Sequence, residues 1–377
     1  MSSTPTLLRG HKGNVNAVEV QDAFVFASGS DDKTLRIWDI RQSPQRAQYC
    51  LCECFPAAVD SMTFHPKEQH ALYAASGSQI FVFDLRSFGA SGSIVQRSPL
   101  CVIDIYAEDA AQGPEGADGV VEINTIKIHP KGDHLAVGDD RGKVVIMERN
   151  RTPGAGPAAW QLSKCLSRGV HSSIIGSVAF RPNSVRELMS GGFDCIACSW
   201  DFGLGKPLAS CNFGTVCDSS GEPFQIVNPP FVHALQYISS GRAVLACLGD
   251  GTLRAVKAST MATLVSVVAH RGMATCLHVL PGLPASGAGG ACDVAVTGGI
   301  DGAIRGWRLT SSVPAATARN KKDTPLELQV DPLFHIEHGC KVNAIAAFPG
   351  PAGAGTLSQV VVADASNNLT LYSDLQS

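Results

Sequence analysis

The sequence predicts an all-β protein built from one small supersecondary unit copied along the chain. Three observations point there. Four side-chain types recur in fixed order: His11, Ser28, Asp32 and Trp38; His171, Ser190, Asp194 and Trp200; His270, Thr297, Asp301 and Trp307. In each set the hydroxyl precedes the Asp by four residues and the Asp precedes the Trp by six. Short alternating apolar runs recur in groups of three around these marks. Acid pairs such as Asp31-Asp32 and Asp139-Asp140 separate the runs, as hairpin turns require, because Asp bonds its own backbone there. Self-similarity of this kind is the mark of a repeat architecture.

Each unit should carry a polar-capped loop, an inner strand, and a hairpin ending in an aromatic residue. Unit one reads as Val15–Val20 followed by runs at 24–29 and 34–40. Unit two occupies 58–66, 71–78 and 79–86, with Phe83 where Trp is expected. Unit three occupies 120–130, 134–140 and 143–149, with Met147 at that place. Unit four runs through 174–182, 187–194 and 196–202, and unit five through 231–238, 243–250 and 252–258. Unit six is 273–281, 293–301 and 303–309, and unit seven is 341–349, 359–366 and 369–375. Units three, five and seven lack the Trp, so Met147, Val256 and Tyr372 should fill its volume with less defined hydrogen bonding.

The first unit, GHKGNVNAVEV followed by FASGSDDKTLRIWDIR, is similar to the consensus of the WD-repeat family. That resemblance implies a seven-bladed WD-repeat β-propeller of four-stranded antiparallel blades. The whole of residues 1–377 would then form one domain. Seven units average about 54 residues, above the roughly 40–45 of such repeats. The excess falls in Gly-, Pro- and Ser-rich windows near 90–119, 150–168, 204–227, 281–291 and 311–332, read as surface insertions. The last unit supplies three strands, so Thr4–Arg9 at the N-terminus is expected to be its fourth and to close the ring.

The His, Ser/Thr, Asp and Trp sets look superficially like a catalytic triad with an added aromatic. Three copies on three units argue for structure instead. A buried indole N–H needs an acceptor, the hydroxyl supplies it, and His links hydroxyl to Asp. No GxxxxGK, HExxH or GxSxG motif occurs, so no enzyme and no cofactor are expected. Cys195 and Cys198 have CxxC spacing, but residues three apart on a strand face opposite ways. Cys50, Cys52 and Cys54 share a strand face and are the better metal suspects, yet zinc would need a fourth ligand. No metal is expected.

Hydrophobic residues make up 45% of the chain and charged residues 17%, a composition suited to a sizeable core. The net charge of −3 gives no global basic field, so no direct nucleic-acid partner is expected. No apolar run approaches the roughly 18 residues of a membrane span, and no signal-peptide stretch opens the chain. The thirteen cysteines are therefore read as reduced thiols of a cytoplasmic or nuclear protein. Arg319-Asn-Lys-Lys322 is a short basic run of nuclear-signal type.

Two consecutive units end alike, in Trp38-Asp39-Ile40-Arg41 and Phe83-Asp84-Leu85-Arg86. This resembles the double Asp-x-Arg box of WD-repeat substrate receptors for cullin-4 ubiquitin ligases. In that family the Arg contacts the damaged-DNA-binding-protein adaptor, which implies adaptor binding by Asp39, Arg41, Asp84 and Arg86. A planar, permanently charged guanidinium suits paired hydrogen bonds to a partner. Against this, Asp-x-Arg can simply be a local ion pair. Several such receptors also dock with an N-terminal helical arm, and only a short stretch precedes His11. The phrases at 171–182, 228–235 and 336–345 resemble one branch of the WD-repeat family with a proposed place in cullin-4 ligases. The expected function is thus a non-catalytic scaffold, a receptor holding the adaptor and an unknown substrate. The alternatives are a generic scaffold, a module reading a peptide such as a histone tail in a central funnel, or a metal or redox role for the cysteines. An acidic, aromatic-lined mouth would favour the peptide.

Overall fold

A computed structural model describes residues 5–41, 49–51, 54–87, 94–95, 98–106, 121–150, 159–166, 169–215, 228–284, 291–312, 326–349, 357–373 and 375. Seven sheets succeed one another, and the innermost strands touch in order, the seventh returning to the first. The result is a seven-bladed β-propeller. From inside outward, blade one pairs Val15–Val20, Val25–Ser30, Leu35–Asp39 and Tyr49–Leu51, and Ile94–Val95 adds a fifth, parallel strand. Blade two is Ser61–Phe64, Ala71–Ser76, Gln79–Asp84 and Cys101–Asp104. Blade three is Ile123–Ile128, His134–Asp139, Val144–Arg149 and Trp160–Cys165. Blade four is Ile175–Phe180, Glu187–Gly192, Ile196–Asp201 and Lys206–Asn212. Blade five is Val232–Tyr237, Ala243–Leu248, Thr252–Lys257 and Thr263–Val268. Blade six is Ala274–Pro284, Ala291–Gly299, Ala303–Ser312 and Glu327–Glu337.

Blade seven supplies Val342–Pro349, Leu357–Asp364 and Asn368–Ser373, and Thr6–Arg9 completes it, with Leu7 opposite Thr370 and Leu8 opposite Leu369. Leu8 is buried against Phe26, Trp38 and Phe348, so the N-terminal strand bridges the last blade and the first. Of the expected Thr4–Arg9 segment, Thr4 lies outside the described residues.

Each middle strand is sandwiched between neighbouring blades, which is why Ala243–Leu248 is buried at every position and reads as continuous apolar sequence. Buried apolar side chains of the described residues group into seven clusters, one per blade–blade interface. The core is therefore a set of radial layers, and each blade is stabilised only by its two neighbours.

The insertion windows need correction. Outer strands Cys101–Asp104, Trp160–Cys165, Lys206–Asn212 and much of Glu327–Glu337 lie inside segments expected to be loops. In blade six the windows also hold strand ends, since Ala274–Pro284 pairs with Ala291–Gly299 as a long hairpin. The physical reason is exposure. Trp160–Cys165 and Lys206–Asn212 bury no position fully and so carry no two-residue alternation. Residues 107–119, 151–158, 216–227, 285–290 and 313–325 lie outside the described residues.

Candidate functional site

Inner strands start, and second-to-third-strand turns fall, at one face of the ring; Asp31 N–H bonds Asn14 O there. The three tetrads sit at this face. In blade four Trp200 Nε1–H donates to Ser190 Oγ at 2.8 Å, Ser190 lies 2.8 Å from His171 Nε2, and His171 Nδ1 lies 3.0 Å from Asp194 Oδ2. One proton arrangement satisfies all of it: indole donates to hydroxyl, hydroxyl to Nε2, and Nδ1–H to carboxylate. Blade one repeats the chain through Trp38, Ser28, His11 and Asp32 at 2.8, 2.7 and 3.1 Å. Blade six repeats it through Trp307, Thr297, His270 and Asp301, each link 3.0 Å.

The carboxylates also cap turns: Asp194 accepts from the N–H groups of Ser172 and Ile196. Burial alone would raise the Asp194 and Asp301 carboxyls, but the bonds from His and backbone outweigh it and hold both below their usual range. Burial lowers the His11 and His270 imidazoles, so they sit uncharged. These are closed networks with nothing left to offer a substrate.

Two further networks escaped the sequence reading. In blade seven His338 lies 2.8 Å from Tyr372 Oη and 2.8 Å from Asp364 Oδ2. In blade three Tyr106 O–H donates directly to Asp139 Oδ2 at 2.8 Å. The expectation of loosely bonded Trp substitutes therefore fails for Tyr372, and blade three recruits Tyr106 from outside its own sheet. Phe83, Met147 and Val256 are apolar replacements, and in blade five Asp250, Thr252 and Arg254 are bonded among themselves.

The opposite face carries the first-to-second-strand turns and the Asp-x-Arg endings. Ile40 N–H bonds Phe24 O in one such turn, and Leu85 N–H bonds His70 O in the next. Arg41 Nε and Nη2 donate to Asp39 at 2.9 and 2.7 Å, and its guanidinium lies 4.9 Å over the Phe24 ring. Arg86 Nε and Nη2 donate to Asp84 at 3.1 and 2.7 Å. The side chains of Arg41 and Arg86 are 54% and 68% exposed, whereas Asp39 is buried. Each Arg holds its Asp below the usual carboxyl range. Both arginines thus emerge on one face of adjacent blades, braced by their own carboxylates along one edge of the fork.

A second repeated device on this face was also missed. His65 Nε2 bonds Gly132 O of the next blade at 3.1 Å, His129 Nε2 bonds Ser184 O at 3.1 Å, and Arg181 Nε bonds Gly241 O at 2.7 Å. The signal was present in the His-Pro and Arg-Pro pairs that close inner strands two, three and four.

Comparison with known proteins agrees with this geometry. The WD40 propeller domain of Doa1 superposes with a TM-score of 0.63 over 98% of this chain and 96% of that one, at 16% identity. The family model for the WD domain, G-beta repeat, matches residues 2–39. The chain folds as a seven-bladed β-propeller that carries a WD repeat at residues 2–39. It is similar to the WD repeat-containing protein 53 homolog of Dictyostelium discoideum, 27% identical over 66% of this chain. The match spans 63% of that relative's length. A segment covering 23% of the chain is 38% identical to the 77 kDa echinoderm microtubule-associated protein of Lytechinus variegatus, and spans only 12% of it. WD-repeat propellers mediate protein–protein interactions, and the fold generally serves as a non-catalytic scaffold.

The cysteines of this propeller stand apart. Cys195 sits in a left-handed turn at φ 65° while Cys198 is buried, its thiol pushed up to about 12 by burial. Cys50 is buried, Cys54 half-buried, and Cys52 lies outside the described residues. No group of three His, Cys, Asp or Glu among the described residues is placed to hold a metal ion. Among the described residues no helix is long and apolar enough to cross a membrane. The basic run at 319–322 lies outside the described residues.

Proposed function

We propose that this WD-repeat scaffold is a substrate receptor of a cullin-4 RING ubiquitin ligase, docking on the damaged-DNA-binding-protein adaptor through Arg41 and Arg86. The carrying observation is the placement of two exposed arginines at equivalent ends of adjacent blades, each aimed by a carboxylate. Ion pairs whose cation stays in water contribute little to stability. A purely structural role therefore gives a weak reason for two tandem copies. A docking role gives a stronger one, because a braced guanidinium loses less freedom when a partner takes its other edge. Phe24, 44% exposed beneath Arg41, adds an apolar contact to the same surface.

The test is capture of purified adaptor by wild type and by Arg41→Ala with Arg86→Ala, circular dichroism checking the fold. The double variant should lose capture, and reversal to Glu should be at least as severe because like charges would meet. Equal capture by wild type and variant sinks the assignment of these residues. No capture by wild type leaves the generic scaffold. The cellular location, cytoplasm or nucleus, follows from this proposal and is tested by imaging the tagged chain.

A further inference from the structure

Among the described residues only blade one has a fifth strand. Ile94–Val95 lies parallel on its outer edge, Ile94 opposite Cys50 and Val95 opposite Leu51. The chain thus already pairs an extended segment to the rim of one blade.

The same place on blade six is open. Arg36 and Arg305 each stand four residues after the Asp of a tetrad, so their strands align residue for residue. Arg36 pairs with Cys50 and Leu35 with Leu51, as Arg305 pairs with His335 and Ile304 with Ile336. His335 and Ile336 are therefore the equivalents of the two covered residues, and among the described residues no strand lies outside them. His338 N–H bonds Gly302 O. Bonded pairs alternate along an antiparallel ladder, so Ile336 also bonds inward, and His335 and Glu337 turn their N–H and C=O to the open edge. Pro332 has no N–H to donate, which confines any added strand to Leu333–Glu337.

A cavity of about 420 Å³ lies at this edge. Its polar lining is Arg305 and His335, and its apolar lining includes Trp307, Leu333 and Phe334. Two local features shape it. Gly306 lets the Phe334 ring lie against the strand, since a Cβ there would collide with the ring. The register also shifts between Gly306 and Trp307, which leaves Leu333 as an extra residue and bends the edge.

The charge of the cavity is unmet. Arg305 is half-buried, and its Nε–H is buried with no hydrogen-bond partner among the described residues. A buried donor on a permanent cation is best satisfied by an anionic acceptor. The neighbouring Glu337 is engaged elsewhere, 3.1 Å from His335 Nε2. Residues paired across neighbouring strands share a face, so a side chain added opposite His335 would stand on the face of His335 and Arg305.

We infer that the rim of blade six receives an extended acidic peptide of a partner protein. It lies parallel to Phe334–Glu337, as Ile94–Val95 lies on blade one, with a Glu or Asp opposite His335 entering the cavity towards Arg305. Main-chain bonds to His335 and Glu337 hold the strand, and the carboxylate supplies the acceptor that the guanidinium lacks. This site is on the outer rim of the ring and does not rest on the adaptor reading.

The experiment uses the full chain and two pools of fluorescent peptides with randomised flanks and a central Glu or Gln, titrated by anisotropy. The Glu pool should bind roughly tenfold tighter than the Gln pool, the size of one charge-assisted hydrogen bond. Arg305→Gln should bring the two pools level with unchanged circular dichroism. A readout on wild type needs no variant: excess Glu pool should slow amide exchange at His335 and Glu337 and leave Thr263–Val268 of blade five unchanged. N-acetylglutamate amide, which carries the carboxylate without a strand, should displace nothing when added in excess. Equal binding of the two pools, retention of the preference by Arg305→Gln, displacement by the single residue, unchanged exchange at His335 and Glu337, or no binding at millimolar concentration each overturns the assignment. So does a dimer in size-exclusion chromatography that Arg305→Gln dissociates, which would give the edge to a second copy of the chain.

Discussion

In blade four a tryptophan N–H reaches a carboxylate through a serine and a histidine; in blade seven a tyrosine O–H reaches one through a histidine alone. The strand register explains the shortening. Asp364 lies opposite Val342, just as Ser30 lies opposite Val15, so blade seven's carboxylate has moved from the turn to the strand end. Asp139 of blade three, opposite Ile123, has made the same move. In both blades the carboxylate still caps its turn, Asp364 through Ser366 N–H and Asp139 through Arg141 and Lys143 N–H. What the blade requires is a carboxylate that caps the turn and ends a chain of hydrogen bonds. Which position supplies it is free.

The largest difference between the two blades is covalent. Blade four is one continuous stretch of chain, whereas blade seven borrows Thr6–Arg9. Deleting residues 1–9 should expose the Asn368–Ser373 edge and empty the place of Leu8, which is 1% exposed. Loss of one buried Leu alone costs about 3 kcal/mol or more, and the freed edge invites aggregation. Thermal melting with size-exclusion chromatography reads both effects. A monomer of unchanged stability would refute the closure.

Legibility followed burial. Inner and middle strands of all seven units could be read, because interface layers impose an apolar pattern on them. The tetrads could be read because their spacing repeats. Thr6–Arg9 could be read from the need to close the ring, whereas the outer strands of blades three and four could not, since Trp160–Cys165 and Lys206–Asn212 bury no position. Nor could the Tyr372 and Tyr106 networks, whose carboxylates sit two residues off the repeat. Arg41 and Arg86 were visible as a motif.

Asp194→Ala tests the middle of the comparison. It leaves His171 and the N–H groups of Ser172 and Ile196 without their acceptor, and should cost about 1–3 kcal/mol. Denaturant unfolding at neutral pH measures it, and adaptor capture should be unaffected. Altered partner binding with an unchanged melting temperature would contradict the structural role of the tetrad.

Tyr372→Phe should be the mildest change, about 1 kcal/mol, because it removes one hydrogen bond and leaves His338 bonded to Asp364. Its pH dependence separates it from Asp194→Ala. The Asp194 carboxyl is depressed in the folded chain, so its contribution is fully present above the unfolded value of about 3.9 and is lost as pH falls towards the folded one. The gap between wild type and Asp194→Ala should therefore narrow as the medium is acidified below about pH 4. The gap for Tyr372→Phe should stay constant over that range, since the phenol remains protonated throughout and burial raises it further. Urea unfolding curves at three pH values between 3.5 and 7 distinguish the two. Parallel narrowing for both variants would mean that the tyrosine acts through ionisation of Asp364, and that blade seven's shorter chain differs in mechanism from blade four's.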